Sequence, residues 1–170
     1  SHRDQWNALR LIENGRNRGK GFSVRNGALR AQGDVVLFTD ADLSAPITEA
    51  PKLIDPIANE VCDVTFGSRA VDRSLIGVHQ SPFREISGRI FNLFVQGLIG
   101  LPFKDTQCGF KAFRRSAAEP VFERQTIMGF GFDPEILYIA KKRGLRLCEI
   151  PVRWDHAEGT KVRFLKDSCR

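Results

Sequence analysis

The 170-residue sequence holds one methionine, one tyrosine, three histidines and four cysteines. Cys62, Cys108, Cys148 and Cys169 show none of the close spacing of a zinc site or a redox motif. Three histidines are too few to supply a structural metal site instead. Reduced thiols are therefore expected, as in a cytoplasmic protein. No apolar run reaches the roughly 18–20 residues that a membrane-crossing helix needs. Glycine (15) and proline (8) are at ordinary levels, which excludes collagen-like and low-complexity chains. There is no internal repeat and no linker-like stretch. What is present is a globular balance, 42% hydrophobic and 27% charged, long enough for one domain over residues 1–170 with a real core.

The net charge of +6 is unevenly spread. Residues 1–33 carry seven Lys/Arg against two acids, and residues 141–170 carry nine against four. The centre, 34–140, carries ten against fourteen. A basic rim around an acidic centre suits an anionic partner held near a metal. Nucleic acid, a membrane surface and a phosphorylated substrate all fit at this level.

The pattern of elements is α/β. Residues 1–13 carry a faint helical spacing (Trp6, Leu9, Ile12), and Asn14 to Gly21 is a glycine-rich turn. Helices are expected over 20–31, 47–60 (interrupted by Pro51 and Pro56), 83–101, 116–124 and 134–143. Val35-Val36-Leu37-Phe38 and Val64-Thr65-Phe66 are continuously apolar runs bounded by turn residues, the mark of strands buried on both faces. Further strands are expected over 110–113 and 147–152, with a loop over 70–82. The alternation predicts a mainly parallel sheet flanked by helices, with its ligand beyond the carboxyl ends of the strands. Asp40 and Asp42 lie at one such end; Ser68 and Arg69 lie at another. A nucleotide-binding half of this kind opens with a buried strand, and none precedes residue 35, so a fragment lacking its first strand is expected.

Asp40-Ala41-Asp42 pairs two carboxylates one residue apart. At a strand end they can converge on one hard cation, Mg²⁺ or Mn²⁺, bridged to phosphates; the alternative is a solvated acidic turn. An EF-hand fails, because Ala45 stands where glycine is required and Pro51 where the bidentate Glu belongs. Asn17-Arg18-Gly19-Lys20-Gly21 opens a helix, where N–H groups favour anions and Lys20 adds charge. It is not a Walker A loop: Asn14 replaces the first glycine and Gly21 the Ser/Thr. Arg69, Arg84 and Arg89 flank a loop and the start of an apolar helix, and their forks match phosphate oxygens. That helix, uncharged from Ile90 to Phe103, is either core or a membrane-interface element. Asp105 is a candidate catalytic carboxylate, and Gln107 a group to orient a sugar hydroxyl. Cys108 has no histidine nearby in sequence to activate it. The lone His156 is read as structural.

Taken together these segments resemble family 2 glycosyltransferases. The Asn-Arg-Gly-Lys-Gly turn and the Phe-Thr-Asp-Ala-Asp-Leu-Ser-Ala-Pro run carry the general likeness. Gly67-Ser68-Arg69, Arg84, Phe91-Asn92, Asp105–Lys111 and Gly131-Phe132-Asp133-Pro134-Glu135-Ile136-Leu137-Tyr138 narrow it to the dolichyl-phosphate β-glucosyltransferases and their prokaryotic polyprenyl-phosphate relatives. The resemblance runs from about residue 15 to about 165. It implies a GT-A fold, Rossmann-like, in a cytosol-facing domain peripheral to a membrane. It implies inverting transfer of a hexose, glucose from UDP-glucose, to a polyprenyl or dolichyl phosphate. Asp40 and Asp42 match its metal-binding Asp-x-Asp motif; Asp42 also matters for catalysis through the metal. Lys20, Asp40, Asp42 and Gln107 fall on the donor side. Arg69, Arg84 and Arg89 fall on the acceptor-phosphate side, and Asp105 near the reacting centre. The segment that reads the nucleotide base is expected to lie outside this chain, so the assignment concerns the parent protein rather than the fragment alone.

The chemistry suits these residue types. A phosphate monoester with a second pKa near 6 is largely dianionic at pH 7 and needs little general-base help. Charge management matters more: arginines for the acceptor, a cation for the leaving diphosphate. Asp105 is accordingly expected to position a group, the sugar or a nearby arginine, rather than to take a proton. Two alternatives stand. One is a family 2 transferase with another acceptor, mannose-synthase-like or polysaccharide-forming. The other is a non-enzymatic basic module for an anionic membrane or nucleic acid. Nucleic acid is not expected, because paired acids at a strand end oppose phosphate without a cation.

Overall fold

The computed structural model describes residues 9–78, 97 and 100–155. Four strands form the central sheet: β1 (Val35–Thr39), β2 (Val64–Ser68), β4 (Phe110–Arg114) and β5 (Leu147–Pro151). Their spatial order is β1-β4-β2-β5. β4 runs antiparallel to both β1 and β2, and only β2 and β5 pair in parallel. The sheet is therefore mixed, not mainly parallel as the alternation of elements predicts. β1, β2 and β5 do share one direction; β4 is the reversed strand inserted among them. A short β3 (Ile76–Val78) pairs with β6 (Trp154–Asp155), where sequence suggests only a loop.

Strand alternation sorts side chains to two faces. Val36, Val64, Phe66 and Phe113 point to one face, packed with α1 (Lys20–Ala28), α3 (Arg115–Arg124) and α4 (Phe132–Lys142). Phe38 stacks among Phe113, Phe122 and Phe132 in this cluster. Leu37, Phe110 and Ala112 take the other face, against Leu53 and Ile57 of α2 (Ala50–Ala58). Thr65 also faces α2 and satisfies its buried hydroxyl by donating to the Leu53 carbonyl at 2.8 Å. Fully buried phenylalanines contribute about 1.5–3 kcal/mol each by removal from water. This makes the α1/α3/α4 side the main core.

The helices follow their start and stop residues. α2 begins after a 3₁₀ turn (Ile47–Glu49) with Pro51 in its first turn, where its missing N–H has no role. The helix continues through Pro56 rather than breaking there. α4 carries Asp133 and Glu135 in its first turn and Lys141 and Lys142 in its last, each sign matched to the helix dipole. Residues 9–13 are not helical but exposed and without regular structure, against the faint helical spacing. Arg84, Arg89, His156 and most of the expected 83–101 helix lie outside the described residues. Among the described residues no helix is long and apolar enough to cross a membrane.

The thiols depart from expectation. Cys62 and Cys148 are joined in a disulfide, with Cα atoms 6.1 Å apart across 86 positions of sequence. The β2–β5 pairing brings them together: Thr65 faces Cys148 in register. Cys108 is free and buried.

Candidate active site

The carboxyl ends of β1 and β2 and the start of the reversed β4 meet at one edge of the sheet. Asp40 leaves β1, Arg69 leaves β2, and Cys108-Gly109 leads into β4, so topology gathers residues far apart in sequence. Two charged constellations result.

The first joins α1, β1, β4 and α4. Lys20 Nζ lies 2.6 Å from Asp40 Oδ1 and 3.9 Å from Asp133 Oδ2. The other Asp133 oxygen accepts from Lys111 Nζ at 2.6 Å, and Lys111 also donates to the Cys108 carbonyl at 2.5 Å. Lys111 is fully buried on the face beneath α4. Burial pushes the Asp133 carboxyl above its ordinary value, and Lys111 and Lys20 do not fully offset it. Burial works to lower Lys20, but Asp133 and Asp40 outweigh it and raise the ammonium's pKa. Neither Lys111 nor Asp133 stands out from sequence as a functional residue. The signal is a lysine inside an otherwise apolar strand, Phe-Lys-Ala-Phe, which reads as a solvent-facing position until its partner is placed.

Asp42 is arranged differently from Asp40. Asp40 accepts the Leu43 amide through its carbonyl at 3.0 Å, and Asp42 Oδ1 accepts the Ser44 amide at 3.0 Å. This turn holds Leu43 at φ 52°, a left-handed conformation that costs a leucine energy. Asp42 is exposed. Asp40 instead leans over Gly109, where any Cβ would overlap its carboxylate. Among the described residues no group of three or more carboxylate, imidazole or thiol side chains converges. Asp42 makes no ion pair among the described residues. Asp40 is already paired with Lys20.

The expected anion cradle at the start of α1 is filled by protein. The Gly21 and Phe22 amides donate to the Gly129 and Met128 carbonyls at 3.2 and 3.1 Å, and the Gly19 amide donates to Asn17 Oδ1 at 3.0 Å. Gly19 adopts φ 95° with the Met128 carbonyl against its Cα, so no side chain fits there. These amides are spent, and Lys20 contributes its charge through a side chain paired with Asp40.

The second constellation surrounds Arg69. Its Nε and Nη2 donate to Asp105 Oδ2 and Oδ1 at 2.7 and 2.9 Å, and its amide adds a third bond at 3.1 Å. The Gln107 amide donates to Asp105 Oδ1 at 3.2 Å. Burial would raise the Asp105 carboxyl, but Arg69 outweighs it and holds the group below the ordinary carboxylate range. Burial likewise opposes the Arg69 charge, and Asp105 more than restores it. Of the two partners expected for Asp105, a sugar or a nearby arginine, the structure shows the arginine contact. Arg69 Nη1 carries no hydrogen bond among the described residues, and its guanidinium lies 5.6 Å from the Trp154 ring. Cys108 sits between the constellations, and burial pushes its thiol up to about 12, which makes it inert as a nucleophile.

Glucosyl-3-phosphoglycerate synthase from Mycobacterium tuberculosis, solved with Mn²⁺, uridine diphosphate and phosphoglyceric acid, superposes with a TM-score of 0.58 at 16% identity over 79% of this chain and 44% of that one. Another structure of that enzyme covers 93% of this chain and 53% of its own at a TM-score of 0.56 and 17% identity. The fold is GT-A-like. The chain belongs to glycosyl transferase family 2, whose pattern matches residues 1–122. Its similar relatives include the dolichyl-phosphate beta-glucosyltransferases of Trichomonas vaginalis (34% identical, 95% of this chain and 50% of that protein) and Homo sapiens (34%, 91% and 49%). The enzyme of that name from Dictyostelium discoideum is 36% identical over 91% of this chain and 48% of its own. The chain spans about half the length of the curated relatives it matches.

Proposed function

We propose that the protein containing this chain transfers glucose from UDP-glucose to a polyprenyl or dolichyl phosphate at a membrane surface. The observation that carries the reading is the pairing of opposite charges on one sheet edge: the exposed Asp42 after β1, and Arg69 held open by Asp105 after β2. The names of the relatives supply the acceptor and sugar. The UDP and Mn²⁺ or Mg²⁺ held by the structural neighbours supply the donor and metal.

In this reading a phosphate oxygen of the acceptor attacks C1 of glucose as the bond from C1 to the diphosphate oxygen breaks. The products are glucosyl phospholipid with inverted configuration and UDP. Arg69 takes the acceptor phosphate through its remaining donor edge, and Asp105 keeps the guanidinium in place. No proton need move, because the phosphate arrives largely dianionic. Asp42 would hold Mg²⁺ or Mn²⁺, which would supply positive charge against the departing diphosphate. Lys20 and Asp40 line the donor side, with Gln107 toward the sugar. Arg84 and Arg89, which the family resemblance assigns to the acceptor phosphate, lie outside the described residues.

The test is incubation of the full-length protein with a short-chain polyprenyl phosphate and UDP-glucose, with Mg²⁺ or with EDTA. Metal-dependent glucolipid that disappears in Asp42→Asn and falls in Arg69→Ala is the expected result. Transfer that ignores the lipid phosphate assigns another acceptor and overturns the reading.

A further inference from the structure

One carboxylate outside both constellations ties the Arg69 side together. Glu149 stands on β5, in register with Phe66 of β2. Its Oε1 accepts from Ser68 Oγ at 2.7 Å and from the Asp105 amide at 2.8 Å. Its Oε2 accepts from the Lys104 amide at 3.0 Å. Ser68 Oγ in turn accepts from the Ala70 and Val71 amides, both at 3.3 Å. A single side chain therefore anchors the turn that follows β2 and the loop that precedes β4. These are the two segments that converge on Arg69.

We propose that Glu149 is a positioning residue for the acceptor phosphate, acting through Ser68 and Asp105 on the orientation of Arg69. The inference rests on the reading in which Arg69 meets that phosphate. A guanidinium is planar, and its donors point in fixed directions. Asp105 holds the Nε–Nη2 edge, so the placement of Asp105 decides where Nη1 points. The Asp105 main chain is itself held by Glu149. Glu149→Gln keeps the oxygen that serves Ser68 and Asp105 but turns a donor toward the Lys104 amide. Ser68→Ala removes the β2 link without changing any charge.

Binding is measured by calorimetry on the full-length protein, with a short-chain polyprenyl monophosphate, inorganic phosphate and UDP as separate probes. Steady-state KM values for acceptor and donor are measured alongside. Hydrogen bonds to charged groups are worth enough that Glu149→Gln should weaken both phosphate probes about tenfold, and Ser68→Ala in the same direction. UDP affinity and donor KM should stay within about twofold on the same grounds. The acceptor KM should rise more than kcat falls. Unchanged phosphate affinity in both variants, while the wild type binds, overturns the role of Glu149 alone. Acceptor and donor affinities that fall together overturn it too, because a general loosening of the fold does that. A wild-type protein that binds neither phosphate probe overturns the acceptor reading and, with it, this inference.

Discussion

The Lys111 ammonium and the Asp133 carboxylate meet at 2.6 Å with both side chains buried, at 0% and 4% exposure. A buried pair of this kind contributes little net stability, but removing one partner strands a charge. Asp133→Leu should therefore destabilise by about 3–5 kcal/mol. The double change Lys111→Met/Asp133→Leu should recover much of that loss. Urea unfolding of the wild type and both variants checks it. Equal losses in the single and double variants would mean that packing, not charge, holds this spot.

Asp42 and Asp40 should separate in their effects. Asp42 is exposed and among the described residues bonds only the Ser44 amide, so Asp42→Asn should leave the unfolding midpoint nearly unchanged. Its metal-dependent transfer should fall on the order of 100-fold or more, since a lost charge stabiliser in the transition state costs that much. Asp40→Asn breaks the 2.6 Å pair with Lys20 and should lower stability as well as activity. Paired thermal melts and rate measurements check both.

The strands and the polar groups at their ends were readable in the sequence, and the misses have physical causes. β1 and β2 announce themselves as apolar runs and β4 and β5 as short strands, with Asp40, Asp42, Arg69 and Asp105 as polar groups beside them. The reversed direction of β4 was not readable, because a period of two looks the same in either direction. Lys111 reads as a surface residue until α4 brings Asp133 over it, 22 positions later in the chain. The Cys62–Cys148 bond spans 86 positions, and only the β2–β5 pairing makes it. The anion cradle at α1 fails because the Met128 and Gly129 carbonyls, more than 100 positions away, reach its amides first.

Stability should fall in acid through Asp63. Its carboxylate accepts from Arg146 Nε and Nη2 at 3.0 and 2.9 Å and from the Arg146 amide at 2.9 Å. The Arg146 hydrogen bonds hold its pKa at about 2 against an ordinary 3.8. The folded value lies below the unfolded one, so the stabilisation is fully present above the unfolded value. It is lost as pH falls from about 4 through about 2. Asp63→Asn should remove that part of the slope, measured as unfolding free energy against pH. A slope identical to wild type would place the acid sensitivity in other carboxylates.

Reduction should loosen the β5 edge. The Cys62–Cys148 bond closes a loop of 86 positions, and breaking such a link costs about 2–4 kcal/mol. Dithiothreitol, or Cys62→Ser with Cys148→Ser, should lower the melting temperature accordingly. Cys108→Ala, at a free and buried thiol, should not reproduce the effect of the reductant.

Gly109 offers the most specific probe of the donor side. Its missing side chain leaves the space that the Asp40 carboxylate occupies, between Lys20 and the start of β4. Gly109→Ala must push Asp40 outward or β4 away, and overpacking of this kind costs about 1–3 kcal/mol. Displacing Asp40 outward breaks its contact with Lys20 but leaves the Asp105–Arg69 fork untouched. The expected outcome is a raised donor KM with the acceptor KM unchanged. The same substitution combined with Asp40→Ala relieves the crowding, so it should regain stability relative to Gly109→Ala without regaining activity. If the double variant is no more stable than the single one, the crowding lies against β4 rather than against Asp40.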